Sequence, residues 1–225
     1  IPRRSMSEVM TKYSCNHDFF EKIDTEEKAY WLGFIAADGC VYQNKLSIKL
    51  GSKDSKHLDK FNISINSNNL NKSIIWNSFN KQYNGSELTI TSTKIVNDLS
   101  RCNISPKKSL TGIPPENIPE NLQRHFWRGM IDGDGWLSKY KTKKYDKYYW
   151  KMGLCGNINY ITRFRDFVQS NINYSVKICP QGTIYTLTYT KKDLLLKLVK
   201  LLYENCSIFL DRKKEKADLF IKDLS

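Results

Sequence analysis

The sequence lacks a long apolar segment and has no closely spaced cysteine pair. Its most apolar run, residues 194–203, is interrupted by Lys197 and Lys200, and a membrane-spanning helix needs ~18 apolar residues without a break. The amino end leads into no apolar stretch typical of a secretory leader. The six cysteines form no C-x-x-C pair, which favours free thiols in an intracellular, reducing compartment.

Acidic residues are scarce relative to basic ones. The 225 residues include 36 Lys and Arg against 23 Asp and Glu, a net charge of +13. A hydrophobic fraction of 40% excludes disorder for most of the chain. Folded basic domains commonly bind nucleic acid, because neutralising phosphates releases counterions. An anionic membrane surface is the alternative, but the sequence has no basic amphipathic helix with an aromatic apolar face.

The predicted order of helices and strands occurs twice. Each copy reads helix, two strands, helix, two strands, helix, and the first includes a predicted turn at Asn84 and Gly85. Four of the six prolines fall between the copies, as is typical of a linker. We therefore predict an α+β protein of two pseudo-symmetric αββαββα units, each with a four-stranded antiparallel sheet. The predicted divisions are an amino-terminal arm at 1–24, units at 25–104 and 120–225, and a linker at 105–119.

Two nine-residue segments occupy corresponding places in these units. They read WLGFIAADG at 31–39 and WRGMIDGDG at 127–135. Small residues four apart lie on one helix face and let two backbones approach closely. The spacing therefore predicts that the two helices pack together through Gly33, Ala37, Gly129 and Gly133.

This packing would place Asp38 and Asp134 beside each other at the helix ends. A carboxylate there opposes the helix dipole by ~0.3–1 kcal/mol, and two neighbouring carboxylates repel each other. A single Asp-Gly pair would indicate only a turn or a helix end, whereas the doubled arrangement favours a divalent cation. Mg²⁺ suits carboxylate, water and phosphate oxygens. An EF-hand is excluded because its twelfth position would be Lys143, and no P-loop, zinc-protease or serine-hydrolase motif is present.

Both segments resemble the LAGLIDADG motif of homing endonucleases in the single-chain form with two motifs. Residues 19–24, 106–109 and 124–129 are similar to the surroundings of these motifs, and the resemblance extends over about residues 13–224. It implies a saddle of two units that grips about 20 base pairs, or two turns, of DNA. The first motif departs from many members at Ala36, where they have an acid that is not the metal ligand.

The resemblance implies a monomeric, metal-dependent, site-specific double-strand DNA endonuclease. Asp38 and Asp134 correspond to the catalytic metal-binding acids, with Ala37 and Gly133 beside them at the metal. The implied cofactor is Mg²⁺, with Mn²⁺ as a substitute and Ca²⁺ as a non-cleaving one, and no small-molecule cofactor or membrane partner is expected. An intron RNA maturase, a DNA-binding protein without cleavage and an intein-derived fragment stay open as alternatives.

Family members also carry a lysine near each active site. Lys108 and Lys213 are the best matches, and their neighbours Lys107 and Lys214 are the nearest alternatives. Such a lysine would polarise solvent or the scissile phosphate, although a solvated lysine at a helix end would give the same pattern. The histidines, in contrast, have no metal-ligand spacing.

Strand alternation predicts which side chains face DNA. One face of each sheet must cover the core helices, which leaves the other face for phosphates and base edges. A run of charges on a hairpin can also be only a solvated edge. Amide side chains can read bases in the major groove, which adds three candidates to the basic and hydroxyl residues. The predicted DNA contacts are Gln43, Lys45, Ser47, Lys49, Asn77, Thr89, Thr91, Lys139, Lys141, Lys143, Lys151 and Gln181.

Overall fold

The first unit of the computed structural model begins with a helix that ends directly in a strand. The structure describes residues 14–78, 81–106, 112–142 and 146–224. The first unit contains α1 (Glu26–Asp38), β1 (Gly39–Tyr42), β2 (Lys45–Gly51), a short 3₁₀ helix (Ser52–Asp54), α2 (Lys56–Ser64), β3 (Lys72–Ser78), β4 (Lys81–Thr91) and α3 (Thr93–Arg101).

The second unit repeats this order. It contains α4 (Glu120–Asp134), β5 (Gly135–Lys141), β6 (Tyr148–Gly156), α5 (Ile158–Ile172), β7 (Cys179–Gln181), β8 (Ile184–Tyr189), α6 (Lys192–Tyr203) and α7 (Asp211–Lys222). The two sheets have the strand orders β1-β2-β4-β3 and β5-β6-β8-β7, and all their pairings are antiparallel. The predicted fold class is confirmed.

The first motif helix is capped at its start by a side chain. The Thr25 hydroxyl accepts from the Lys28 N–H, as is usual at a helix N-terminus.

The passage from helix to strand without a loop depends on a glycine in each unit. A Cβ built on Gly39 would lie only 2.6 Å from the Ile35 side chain. A Cβ on Gly135 would lie 2.8 Å from Ile131. The glycines therefore bring each helix end and the following strand into close contact.

The Asn84–Gly85 turn predicted from the sequence was wrong. Both residues lie within β4, where Gly85 pairs with Gly51 on one side and Ile74 on the other. A Cβ on Gly85 would collide with the Leu50 carbonyl oxygen. The glycine serves close packing between strands here, which produces the same Asn-Gly signature as a hairpin turn.

The residues before α1 pack against the first unit. Phe19 and Phe20 are 3% and 1% exposed, and the Asn16 N–H donates to the Ile65 carbonyl at 2.6 Å. The described part of the predicted arm, residues 14–24, therefore adds to the core. All six cysteines are free thiols, and no helix in the described ranges is long and apolar enough to cross a membrane.

Candidate functional site

The two motif helices, α1 and α4, touch through their backbones. A Cβ on Gly33 would collide with the Phe126 carbonyl oxygen, and a Cβ on Gly129 would collide with the Tyr30 carbonyl oxygen. At the end of the contact, a Cβ on Gly133 would collide with the Ala37 side chain. The structure thus brings together the four small residues that the sequence singled out.

This packing places the Asp38 carboxylate against the end of the opposite motif helix. Its Oδ2 atom lies 3.1 Å from the position that a Gly133 Cβ would occupy, one residue before Asp134. Both acids are half-buried. The Asp134 carbonyl oxygen accepts a 3.2 Å hydrogen bond from the Cys155 Sγ on β6. Each unit therefore contributes one acid where the C-terminal ends of α1 and α4 lie next to each other.

The groups that could hold a metal where the motif helices end are oxygen atoms from two acids and the adjoining backbone. Within the described ranges, no three His, Cys, Asp or Glu side chains form a metal-binding group. His57 and His125 are instead buried in the core, and burial lowers the pKa of His57 to about 3 and that of His125 to about 4. A cation bound between Asp38 and Asp134 would complete its shell with water and phosphate, the ligand set that Mg²⁺ accepts.

Lys213 lies beneath the second motif helix instead of on the surface. Its Nζ donates to the Ile131 carbonyl at 2.9 Å and to the Gly135 carbonyl. The residue is 4% exposed, and burial lowers its pKa to about 8 while nearby Asp132 and Asp38 raise it. The cation thus satisfies carbonyls at the negative end of α4. Lys214, its predicted alternative, pairs with Asp218 on α7, and Lys107 and Lys108 lie outside the described residues.

Asp132, which sequence reasoning did not select, is a fully buried carboxylate at the interface. Its oxygens accept from the Tyr30 hydroxyl at 2.8 Å, the Tyr203 hydroxyl at 2.6 Å and the Leu210 N–H at 2.7 Å. Burial raises its pKa, and these hydrogen bonds lower it in part. The corresponding position of the first motif is Ala36. The two motifs are therefore unequal where one carries a carboxylate and the other a methyl group.

A second buried charge, Arg128, lies one helical turn before Asp132. Its guanidinium donates to Glu26 of α1 at 2.8 Å and to the Ile208 and Leu202 carbonyls at 2.9 and 3.0 Å. It also makes a 2.8 Å hydrogen bond with His125 Nδ1. Because the guanidinium is completely buried, these partners replace its hydration. No motif in the sequence distinguishes it from a surface arginine.

Residues 207–213, here called the interface strap, join the second unit to the first. Arg212 makes a bidentate pair with Asp54 at 2.7–2.9 Å. Lys60 of α2 donates to the Phe209 carbonyl at 3.0 Å and to Asp211 at 2.6 Å. The Ser207 N–H donates to Glu26 at 2.7 Å. The strap thus links both units close to the motif helices.

The face of the first sheet that points away from the helices is polar and basic. Cross-strand pairs place Lys45 opposite Thr91 and Ser47 opposite Thr89, while Leu46, Ile48, Leu88 and Ile90 cover the core from the other face. We call this the outer face of sheet 1. A groove of about 450 Å³ on it is lined by Lys45, Ser47, Lys49, Lys72, Glu87 and Thr89 among others.

The strand register of the second sheet places two of the lysines predicted to contact DNA on the side that faces the helices. Lys139 pairs across the strands with Trp150, a core residue, and its Nζ lies 2.7 Å from Asp223, which caps the C-terminal end of α7. Lys141 shares that helix-side parity and pairs with Asp146. Lys151 lies opposite Ser138 on the outer face, whereas Lys143 lies outside the described residues. The sequence pattern predicted the wrong face for Lys139 and Lys141, because aromatic residues occupy both faces of this hairpin and obscure the alternation.

The three predicted base-reading amides lie in different settings. Gln43 is exposed at the turn between β1 and β2, with a positive φ of 53°. Gln181 is exposed at the end of β7, opposite Ile184. Asn77 pairs with Gln82 on β4, and alternation along β4 puts that pair on the same face as Leu88. Asn77 therefore lies on the opposite face from Lys45 and Thr89.

No protein-family model and no curated protein matches the sequence. Solved structures do match. The LAGLIDADG meganuclease I-AabMI bound to uncleaved DNA has a TM-score of 0.58 at 14% identity, covering 89% of this chain and 91% of that chain. The meganuclease I-CpaMI bound to uncleaved DNA has a TM-score of 0.59 at 11% identity, covering 86% and 89%. The amino-terminal LAGLIDADG domain of DUF199/WhiA has a TM-score of 0.52 at 16% identity, covering 97% and 98%. The chain therefore has the two-unit LAGLIDADG fold that its doubled motif predicted.

Proposed function

We propose that the protein is a divalent-metal-dependent endonuclease that cuts both strands of a specific duplex DNA site. The observation that carries the proposal is the Asp38 carboxylate lying against Gly133, beside Asp134, where the two motif helices end together. Two acids brought together at the ends of neighbouring helices supply the carboxylate oxygens that a divalent cation binds. Because each acid comes from a different unit, one chain supplies an acid for each strand and would act as a monomer.

The residues at the helix ends fit Mg²⁺. The side chains of Asp38 and Asp134 and the backbone oxygens of Ala37 and Gly133 are hard donors, and the absence of a Cβ at Gly133 lets the Asp38 carboxylate approach the end of α4. When bound, the metal would lower the pKa of water and neutralise charge on a phosphate. A site with few protein ligands leaves coordination positions for that phosphate and water.

The surrounding residues hold these acids in position. The backbone contact at Gly33 and Gly129 fixes the separation of α1 and α4, and Lys213 secures the carbonyls at the end of α4 next to Asp134. Water would attack the phosphorus in line, leaving a 3′-hydroxyl and a 5′-phosphate. We assign Lys213 a positioning role and not a catalytic one, since its ammonium already donates to the Ile131 and Gly135 carbonyls.

Duplex DNA would lie across the outer faces of both sheets. Support comes from the basic groove on sheet 1 and from the net charge of +13, because phosphate neutralisation supplies much of DNA affinity. The similar meganucleases I-AabMI and I-CpaMI are described with DNA bound. Two units side by side would cover about 20 base pairs, or two helical turns.

The test compares Asp38→Asn and Asp134→Asn with the wild-type protein on a substrate selected from a randomised duplex library with Mg²⁺ present. Asparagine keeps the size of the side chain and removes its charge. Each variant is expected to leave at least one strand uncut while duplex binding persists, as seen by strand-specific end labelling. Undiminished double-strand cutting by both variants would refute the assignment of the acids. Binding without cutting by the wild-type protein would favour the non-cleaving alternative.

A further inference from the structure

Glu87 is an acid on a surface that is otherwise basic or neutral. Within the described strands, it is the one acidic residue on the outer face of either sheet. The register places Lys49 directly opposite it on β2 and Lys72 directly opposite it on β3. A carboxylate at this position repels DNA phosphates, so it weakens general binding to the backbone. Unlike the lysines around it, Glu87 can accept hydrogen bonds from a ligand.

The Glu87 carboxylate is held through one of its two oxygens. Oε1 accepts a 2.5 Å hydrogen bond from the Ser47 hydroxyl and lies 3.6 Å from the Lys49 ammonium. Oε2 accepts no hydrogen bond from any residue of the described ranges. The side chain is 23% exposed and lines the groove on the outer face. An oriented acceptor therefore remains available to a ligand in that groove.

A carboxylate accepts hydrogen bonds but donates none, and this property selects among base edges. In the major groove, cytosine presents the N4 amino donor, whereas guanine presents N7 and O6 and thymine presents O4, all acceptors. Adenine places its N6 donor beside the N7 acceptor, which repels a carboxylate. Cytosine is therefore the base that complements Glu87.

We propose that Glu87 is a specificity-determining residue that reads the amino group of one cytosine in the target duplex. The inference rests on the proposed function, since it requires DNA to lie across the outer face of sheet 1. Ser47 is the positioning residue, because its hydroxyl fixes the carboxylate. The neighbouring lysines offset the repulsion between the carboxylate and the phosphates.

The experiment measures base preference by duplex binding, with Ca²⁺ present so that cleavage is not required. A randomised library is selected with the wild-type protein and with Glu87→Gln. The wild-type protein is expected to prefer cytosine at one position by about tenfold. The Gln variant is expected to prefer adenine there, because an amide pairs with adenine N6 and N7. Glu215→Gln makes the same charge change at an exposed position on α7 and is expected to keep the wild-type profile.

Two other results would overturn the inference. An unchanged base profile in Glu87→Gln would leave the residue with only a role in the sheet. A uniform rise in affinity with the same profile would assign it to backbone electrostatics alone. Thermal unfolding checks that the variant folds. Ser47→Ala, which keeps the carboxylate, is expected to weaken the cytosine preference without a shift to adenine, and a shift to adenine would contradict the assignment. Failure of the wild-type protein to bind any duplex would instead refute the proposed function itself.

Discussion

The Tyr30 hydroxyl of the first unit donates a 2.8 Å hydrogen bond to the buried Asp132 carboxylate of the second. Since this bond uses the only hydroxyl hydrogen of Tyr30, its oxygen accepts the 2.8 Å bond from His57 Nε2. A chain of hydrogen bonds thus runs from α2 through α1 to α4. The interface between the units depends on this polar chain as well as on helix packing.

Replacing Tyr30 with Phe is expected to lower the free energy of unfolding by about 1–3 kcal/mol. The ring is kept, but the fully buried Asp132 side chain loses one of its three donors, and leaving a buried acceptor unsatisfied costs this much. Urea unfolding measures the loss. Tyr203→Phe removes another donor from the same carboxylate and should have a loss of the same order. No loss in either variant would contradict a stabilising role for these hydroxyl hydrogen bonds.

Replacing Gly33 or Gly129 with Ala is expected to destabilise the protein by about 3 kcal/mol. The new methyl group would collide with a backbone carbonyl, which cannot rotate away as a flexible side chain can. Gly51→Ala is the matched control, since its Cβ would meet no atom within 4 Å, and it should change stability by less than about 0.5 kcal/mol. Equal thermal unfolding temperatures for the Gly33 and Gly51 variants would contradict the backbone contact.

The sequence predicted these glycine contacts because spacing on a helix is a local property. It also predicted the helix ends, since an Asp-Gly pair that follows a small-residue helix is visible within nine residues. It could not predict that Lys139 faces α7, because Asp223 and Phe220, which define that side of the sheet, lie far along the chain. The role of Asp132 was equally hidden. Its donors come from three separate segments, and a buried carboxylate resembles an exposed one in sequence.

Lys151→Ala is expected to weaken duplex binding and to reduce the slope of log affinity against log salt by about 0.9, the value for one phosphate contact. Lys139→Ala removes the same charge from the helix side of the same hairpin, where Lys139 pairs with Asp223. It should leave the salt slope unchanged and lower the unfolding temperature slightly. Fluorescence anisotropy over a salt series measures both. Equal changes in slope for the two variants would contradict the assignment of faces.

Folding stability is expected to fall as the pH drops below about 6.5. Burial lowers the pKa of His57 to about 3, so between these values the unfolded chain binds a proton that the folded chain does not. The free energy of unfolding then falls by up to about 1.4 kcal/mol per pH unit. His57→Gln should flatten this dependence. His125→Gln should flatten it over a narrower range, because the pKa of His125 is lowered only to about 4. Identical pH profiles for the wild type and His57→Gln would contradict this burial.

The interface strap joins the two units through contacts that do not depend on the peptide connection between them. Residues 207–213 bond to Glu26, Asp54 and Lys60 of the first unit and to Asp132 and the end of α4 in the second. We therefore expect the units to stay together without the covalent connection through the predicted linker, residues 105–119. A protease cut within that linker would leave two fragments that migrate as one particle under native conditions and separate only in denaturant. The same property would allow the two halves to be produced as separate polypeptides and reassembled.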